Sequence, residues 1–222
     1  MSVYKISEIN EKNIENKITF GKPCLKINHY FINCESDVFV QLDNAYFKRN
    51  FQKIDGKLTA TINIKEEFEK NFLIFDNLII NVVNDMFPLW FNKEIDMSDL
   101  LEYYIPTVTD YYETNETDDQ EVASDIFSYT SSEDEENEEN EENEKNENNL
   151  LELSMNCEIP YNYEESDLDI MIFDSSNNLI EELWNNIEIM GKHGICVVKL
   201  SGLKIEKTKF CSVWELVQLK IC

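Results

Sequence analysis

Residues 57–64 read KLTATINI, with Leu58, Ala60, Ile62 and Ile64 apolar and Thr59, Thr61 and Asn63 polar between them. A strand turns successive side chains to opposite faces, so this alternation is a strand with one face inward. Directly after Ile64 the period changes. Phe68, Phe72, Phe75, Ile79, Val82 and Met86 advance by steps of three and four, which predicts an amphipathic helix over 65–86. Pro88 is expected to end it, because proline lacks the amide hydrogen a helix interior uses. A one-sided strand followed by a one-sided helix must be covered by other elements of the same chain.

Those elements are legible on both sides. ITFGKP, with Gly21 and Pro23, is a turn signal. CLKINHYFINC and DVFVQL are strand candidates, and Val38, Val40 and Leu42 share one face. Asp55-Gly56 before KLTATINI is the dipeptide of a tight hairpin. DMSDLLEYYI predicts a shorter helix, with Asp96 or Ser98 placed to cap it and Pro106 closing it. LLELSMNCEI and DLDIMIF read as strands, LIEELW as a short helix, and GICVVKLSGLKI with KFCSVWELVQLKIC as a closing hairpin. No solenoid repeat is present. Mostly strands, with one long and one short helix, predict a small barrel or an α+β domain.

The chain is interrupted once. Residues 110–149 hold 17 acidic residues and one lysine. Low hydrophobicity with like-charge repulsion does not offset ordering entropy, so this acidic insert is expected to be disordered. It divides one domain into parts 1–109 and 150–222. The whole chain of 222 residues carries a formal net charge of −26, which at first sight argues against nucleic acid and anionic membranes. The insert supplies much of that charge. Residues 1–57 hold nine basic and seven acidic residues, and residues 192–222 hold six lysines against Glu206 and Glu215. Two mildly basic ends flank an acidic middle.

The opening MSVYKISEIN has no apolar core of a secretory signal, and no unbroken apolar run approaches the roughly 20 residues of a membrane span. No membrane partner is expected. The six cysteines form no CxxC pair and read as reduced, mostly buried thiols of an intracellular protein. His29 and His193 are isolated, so no metal and no cofactor is expected. Asp167 and Asp169, two apart on one strand, are the nearest approach to a metal pair. There is no P-loop, GxSxG or HExxH. An enzyme is not expected, and no catalytic residues are assigned.

Two stretches carry binding chemistry. In AYFKRNFQK, Tyr46, Phe47 and Phe51 interleave with Lys48, Arg49 and Lys53, and Arg49 is the only arginine of the chain. A guanidinium stacks on bases or forks onto phosphate; equally, the aromatics of this loop can anchor it to the barrel. In KFCSVWELVQLKIC the alternation puts Cys211, Val213, Val217, Leu219 and Ile221 on a core side interrupted by Glu215. Phe210, Ser212, Trp214, Leu216, Gln218 and Lys220 fall opposite. Rings mixed with polar and cationic groups suit a base-stacking sheet, although spacing alone favours Trp214 and Phe210 packed beneath the helix.

Motifs at both ends resemble one family, the single-stranded-DNA-binding core proteins of nucleocytoplasmic large DNA viruses. The opening MSVYKISEIN and ITFGKP, the strand and loop DVFVQLDNAYF, LWFNKE with LLEYYIPTV, and the ending LSGLKIEKTKFCSVWELVQLKI carry the resemblance. It implies an OB-like β-barrel elaborated with helices. It also implies non-catalytic, sequence-independent binding of single-stranded DNA in viral genome replication, repair or packaging, within a replication factory in the host cytoplasm or in the virion. By position, the residues implied are Lys22, Phe47, Lys48, Arg49, Lys209, Phe210 and Trp214. The alternative is a relative that has lost DNA binding and acts as an acidic interaction protein recruiting basic viral or host proteins. Thr130, Ser131 and Ser132 precede the Glu/Asp run and are candidate phosphorylation sites for an acid-directed kinase.

Overall fold

The alternation in 57–64 is realised in space: Leu58, Ala60, Ile62 and Ile64 are all buried. The computed structural model describes residues 2–14, 17–54, 56–110, 153–162, 167–181 and 184–222. The chain runs through β1 (Ser2–Lys5), a one-turn helix α1 (Glu11–Ile14), β2 (Cys24–Leu25), β3 (Tyr30–Asn33), β4 (Val38–Tyr46), β5 (Gln52–Ile54) and β6 (Lys57–Ile64). Helices α2 (Glu69–Phe91) and α3 (Met97–Tyr103) follow, then β7 (Tyr104–Ile105) and β8 (Thr109–Asp110). The later elements are β9 (Leu153–Ile159), β10 (Tyr161–Asn162), β11 (Asp167–Leu168), β12 (Met171–Phe173), β13 (His193–Ile205) and β14 (Phe210–Ile221). All of them belong to one unit, Met1–Tyr111 with Glu152–Cys222.

Five strands close a ring in the order β4, β6, β9, β14, β13, with β13 returning to β4. The fold is mostly β, an OB-like barrel carrying one long and one short helix. β6 and β9 are fully zipped, Leu58 opposite Ile159 and Ile62 opposite Met155. β13 and β4 pair antiparallel with Val198 opposite Val40. Two seams are looser: β4 meets β6 at Tyr46 opposite Asn63, and β9 meets β14 in parallel at Glu158 opposite Glu215. Val40, Leu42, Ile62, Met155, Cys157, Cys196, Val198 and Leu216 are buried, since alternate residues on each strand point to one face. The β5–β6 turn is made by Gly56 at φ 79°, a conformation that disfavours any side chain. Outside the ring, β1 runs parallel to β4. The β2–β3 hairpin joins β13 at Gly202 opposite Asn33. A Cβ at Gly202 would collide with the Ile32 carbonyl oxygen and the Phe31 ring, so glycine there permits the close approach of β3.

The long helix differs from expectation at its end. It continues past Pro88 to Phe91 and stops at Asn92, which adopts the left-handed conformation at φ 52°. Pro88 is exposed and stands three residues before the helix end, so its ring and the one bond it cannot donate fall outside the packed core. The span Glu66–Phe91 has the length and composition to cross a bilayer, unlike any unbroken apolar run in the sequence. Its Phe72, Phe75, Ile79, Ile80 and Val83 are buried in the domain core. Asp96 occupies the N-cap position of α3 without a side-chain capping bond. The run DLDIMIF is two short strands, β11 and β12, separated by a bend at Asp169. Of LIEELW, the described part shows a 3₁₀ turn beginning at Trp184. All six cysteines are free; Cys157 and Cys196 are buried, Cys34 and Cys211 half-buried, and Cys24 and Cys222 exposed, so fewer are buried than expected.

A buried carboxylate fastens helix to barrel. Asp76 of α2 is 4% exposed. It accepts hydrogen bonds from the Tyr104 hydroxyl at 2.5 Å, the Thr107 hydroxyl at 2.5 Å and the Thr107 amide at 3.2 Å. Thr107 shares a hydrogen bond of 2.8 Å with Ser212 of β14. Desolvation raises the Asp76 carboxyl above its ordinary value of 3.8, opposed by the Thr107 and Tyr104 bonds. Because the folded state holds this proton more tightly than the unfolded chain, its contribution is fully present below pH 3.8. It is lost as pH rises toward the raised folded value. Asp76→Asn, which does not titrate, is expected to remove that component from a urea-unfolding pH series. Asp76→Ala is expected to cost about 1–3 kcal/mol by leaving buried donors unpaired.

Candidate nucleic-acid interface

The structure separates the candidate residues into buried and surface groups. Phe47 is 1% exposed, Phe210 4% and Trp214 2%, so none offers a ring face to a base. Trp214 lies edge-on between Phe72 and Phe75, with centroids 6.2 and 5.3 Å away. Its indole N–H donates to Ser212 Oγ at 3.0 Å. Phe210 packs on Tyr104 at 5.0 Å. The core side drawn from simple alternation is corrected by irregular pairing in the hairpin. Val197 and Val198 face Gln218 and Leu216, skipping Val217, and Leu200 and Gly202 face Trp214 and Val213, skipping Ser201. An extra residue in one strand reverses the faces beyond it. Leu216 and Leu219 are therefore both fully buried, while Val217 is only half-buried.

Lys48 and Arg49 remain at the surface, half-exposed, in the loop between β4 and β5. That loop is clamped to residues 189–192. The Phe47 amide donates to the Lys192 carbonyl at 3.1 Å and the Gly191 amide to the Phe47 carbonyl at 2.7 Å. Asn50 Oδ1 accepts from the amides of Ile189 and Met190, each at 2.9 Å. Phe47 and Phe51 are buried anchors. The two readings of AYFKRNFQK thus coexist: its phenylalanines hold the loop, and its cations stay outside. Beside them stand Tyr46 and His193, directly paired across the strands with rings 4.9 Å apart, and the exposed Lys192; Lys53, also exposed, lies further along on β5 opposite Leu58. Sequence reasoning missed Lys192 and His193, which lie more than 140 positions from Arg49. Only strand pairing joins them to the loop.

The other candidates lie elsewhere. Lys209 is exposed in the β13–β14 turn, where Glu206 accepts ion pairs from Lys204 at 2.6 Å and Lys209 at 3.6 Å. The Lys204 hydrogen bond leads in holding the Glu206 carboxyl below its usual value. Lys22 is exposed next to Gly21, whose hypothetical Cβ would lie 2.8 Å from Glu35 Oε1. An acid therefore borders that turn. On the outer face of β6 and β9, Thr61 donates to Asn156 at 2.8 Å and Lys57 pairs with Glu158 at 2.5 Å. Asp169 sits beyond the end of β11, so the expected two-residue strand spacing with Asp167 is not formed. Among the described residues no three His, Cys, Asp or Glu side chains converge as metal ligands. Thr130, Ser131, Ser132 and all but Asp110 of the acidic insert lie outside the described residues.

No family model and no curated protein matches the chain. Among solved structures it is similar to the single-stranded DNA-binding protein from bacteriophage Enc34. The C-terminally truncated form gives a TM-score of 0.44 at 11% identity, covering 92% of this chain and 94% of that one. The complex of that phage protein with ssDNA gives 0.39 at 10% identity, covering 90% and 94%.

Burial of Trp214 separates stability from binding. Trp214→Ala is expected to cost about 3–5 kcal/mol in a urea titration, as large aromatic truncations in cores do. Trp214→Phe, which keeps a ring against Phe72 and Phe75, is expected to leave oligonucleotide affinity unchanged by fluorescence anisotropy. A selective loss of affinity in a stably folded Trp214→Phe protein would restore this ring to the binding site.

Proposed function

We propose that the barrel binds single-stranded DNA without catalysis and without sequence preference. The observation that carries this reading is the cationic rim made by the β4–β5 loop and the start of β13. Lys48, Arg49 and Lys192 come there from two segments that are hydrogen-bonded to each other beside the Tyr46–His193 ring pair, and Lys53 follows on β5. The first interstrand loop of an OB-like barrel is a recurrent place for oligonucleotides. Lysine and arginine supply phosphate contacts, and guanidinium and ring faces supply base contacts. The net charge of −26 does not forbid this, because screening near 8 Å at physiological salt isolates a local patch from distant charge. The motifs at the two chain ends support a viral setting, with a role in genome replication, repair or packaging inside the host cytoplasm.

The acidic insert fits the same reading as a tethered competitor for the rim. A tethered segment reaches an effective concentration in the millimolar range, so it lowers DNA affinity and speeds exchange. Phosphate on Thr130, Ser131 or Ser132 would add about −1.5 to −2 charge at each site and strengthen the competition.

Anisotropy of labelled oligodeoxynucleotides across a salt series tests both parts. Each phosphate neutralised is expected to contribute about −0.7 to the slope of log K against log salt. Arg49→Ala is expected to weaken binding and shallow that slope. Deleting 110–149 is expected to tighten binding, most at low salt. Flat anisotropy at low salt for both the full chain and the deletion would sink the reading and leave an acidic interaction protein that recruits basic partners.

A further inference from the structure

The opposite end of β13 carries a second surface of different character. Leu25, Tyr30, Ile205 and Phe210 are directly opposite one another across β2, β3, β13 and β14. Directly paired residues share a sheet face, so this row runs from the core outward: Phe210 is 4% exposed, Tyr30 38% and Leu25 66%. The end of α2 meets it, with the Phe91 ring 5.1 Å from Tyr30 and edge-on to it. Trp90, half-exposed, lies 6.5 Å from Phe91. Ile27, at the hairpin tip, is 97% exposed.

Cations fringe these rings. Lys26 is in the β2–β3 turn, tied to His29 by a 2.8 Å backbone bond. Lys93 follows the left-handed cap of α2, and Lys207 lies in the turn just past Ile205. All three are exposed. Of the nearby acids, Glu206 is engaged by Lys204 and Lys209, and Glu94 adjoins Lys93.

We propose that Tyr30, Trp90 and Phe91, with Ile27 at the edge, form a base-stacking platform for single-stranded nucleic acid, distinct from the rim around Arg49. This rests on the single-strand reading above and supplies what that rim lacks. The rim is rich in cations and, among the described residues, its ring contact is the Tyr46–His193 pair, whereas affinity for single strands needs several ring faces beside phosphate contacts. The cationic fringe favours a phosphate backbone as the occupant. A second copy docked through the same face would bring two such lysine fringes together, and lysine is depleted at protein interface cores.

The test uses the full chain and a fluorescein-labelled oligodeoxythymidine, read by anisotropy, with a 5-iododeoxyuridine version for photocrosslinking. Tyr30→Ala is expected to weaken binding about 5- to 150-fold, the range for one lost base stack. Lys93→Glu, an exposed change that spares the rings and the fold, is expected to weaken it and shallow the salt slope by about 0.7. Crosslinks are expected on the peptides holding Tyr30, Trp90 or Phe91. Wild-type binding with both variants unaffected and crosslinks confined to 46–53 and 192–193 would overturn the platform and leave the single-strand reading standing. Absence of wild-type binding at low salt would overturn both. A changed sedimentation coefficient in either variant, with unaltered oligonucleotide affinity, would make the surface a protein interface and overturn the proposal.

Discussion

The packing of Trp214 between Phe72 and Phe75 is the contact on which the remaining architecture depends. It seats the one long helix on the last barrel strand, and it joins apolar burial to a polar chain. The indole donates to Ser212, Ser212 shares a hydrogen bond with Thr107, and Thr107 donates to Asp76 on the same helix. Large aromatic burial supplies the driving force, and the buried hydrogen bonds fix the seating, because an unpaired polar group at that depth is costly. The helix therefore has one position on the barrel. Its last turn is delivered to the β2–β3 hairpin, where Phe91 meets Tyr30.

Charge is distributed by the same frame. β13 spans the length of the barrel, with His193 at one end beside Tyr46 and Ile205 at the other beside Tyr30. Lysines collect at both ends: Lys192 with the Arg49 loop, and Lys204, Lys207 and Lys209 near the hairpin turn. Between them the outer faces of β6 and β9 carry small polar groups in hydrogen bonds with each other. In a strongly acidic chain, cations thus stand next to aromatic rings at both ends of β13, and local screening lets such places act independently of the net charge.

Much of the fold was readable from period alone. KLTATINI and DVFVQL placed their buried faces correctly, and the three-and-four spacing located α2. The errors have identifiable causes. Pro88 did not stop the helix because its solvent-side position tolerates the missing hydrogen bond. Leu216 and Leu219 share the core because Val217 is an extra residue in the pairing, which no alternation rule anticipates. Spacing favoured the core for Phe210 and Trp214 and left Phe47 open between stacking and anchoring, while the family resemblance placed all three in the binding site; neighbours distant in sequence decided for the core. Lys192 and His193 carried no local signal at all.

The sequence by itself determined the element types, the inward faces of the regular strands, and the concentration of acid in one insert. These follow from local periodicity and composition, which act over a few residues. Only the tertiary structure decided which aromatics are covered and which cations stand together. Burial is a property of what packs on the other side: Phe72 and Phe75 of α2 cover Trp214 and Tyr104 covers Phe210, while Tyr30 and Trp90 stay at the surface. The Arg49 rim likewise exists because β13 returns to β4 and sets Lys192 and His193 beside the loop, a juxtaposition made by barrel closure.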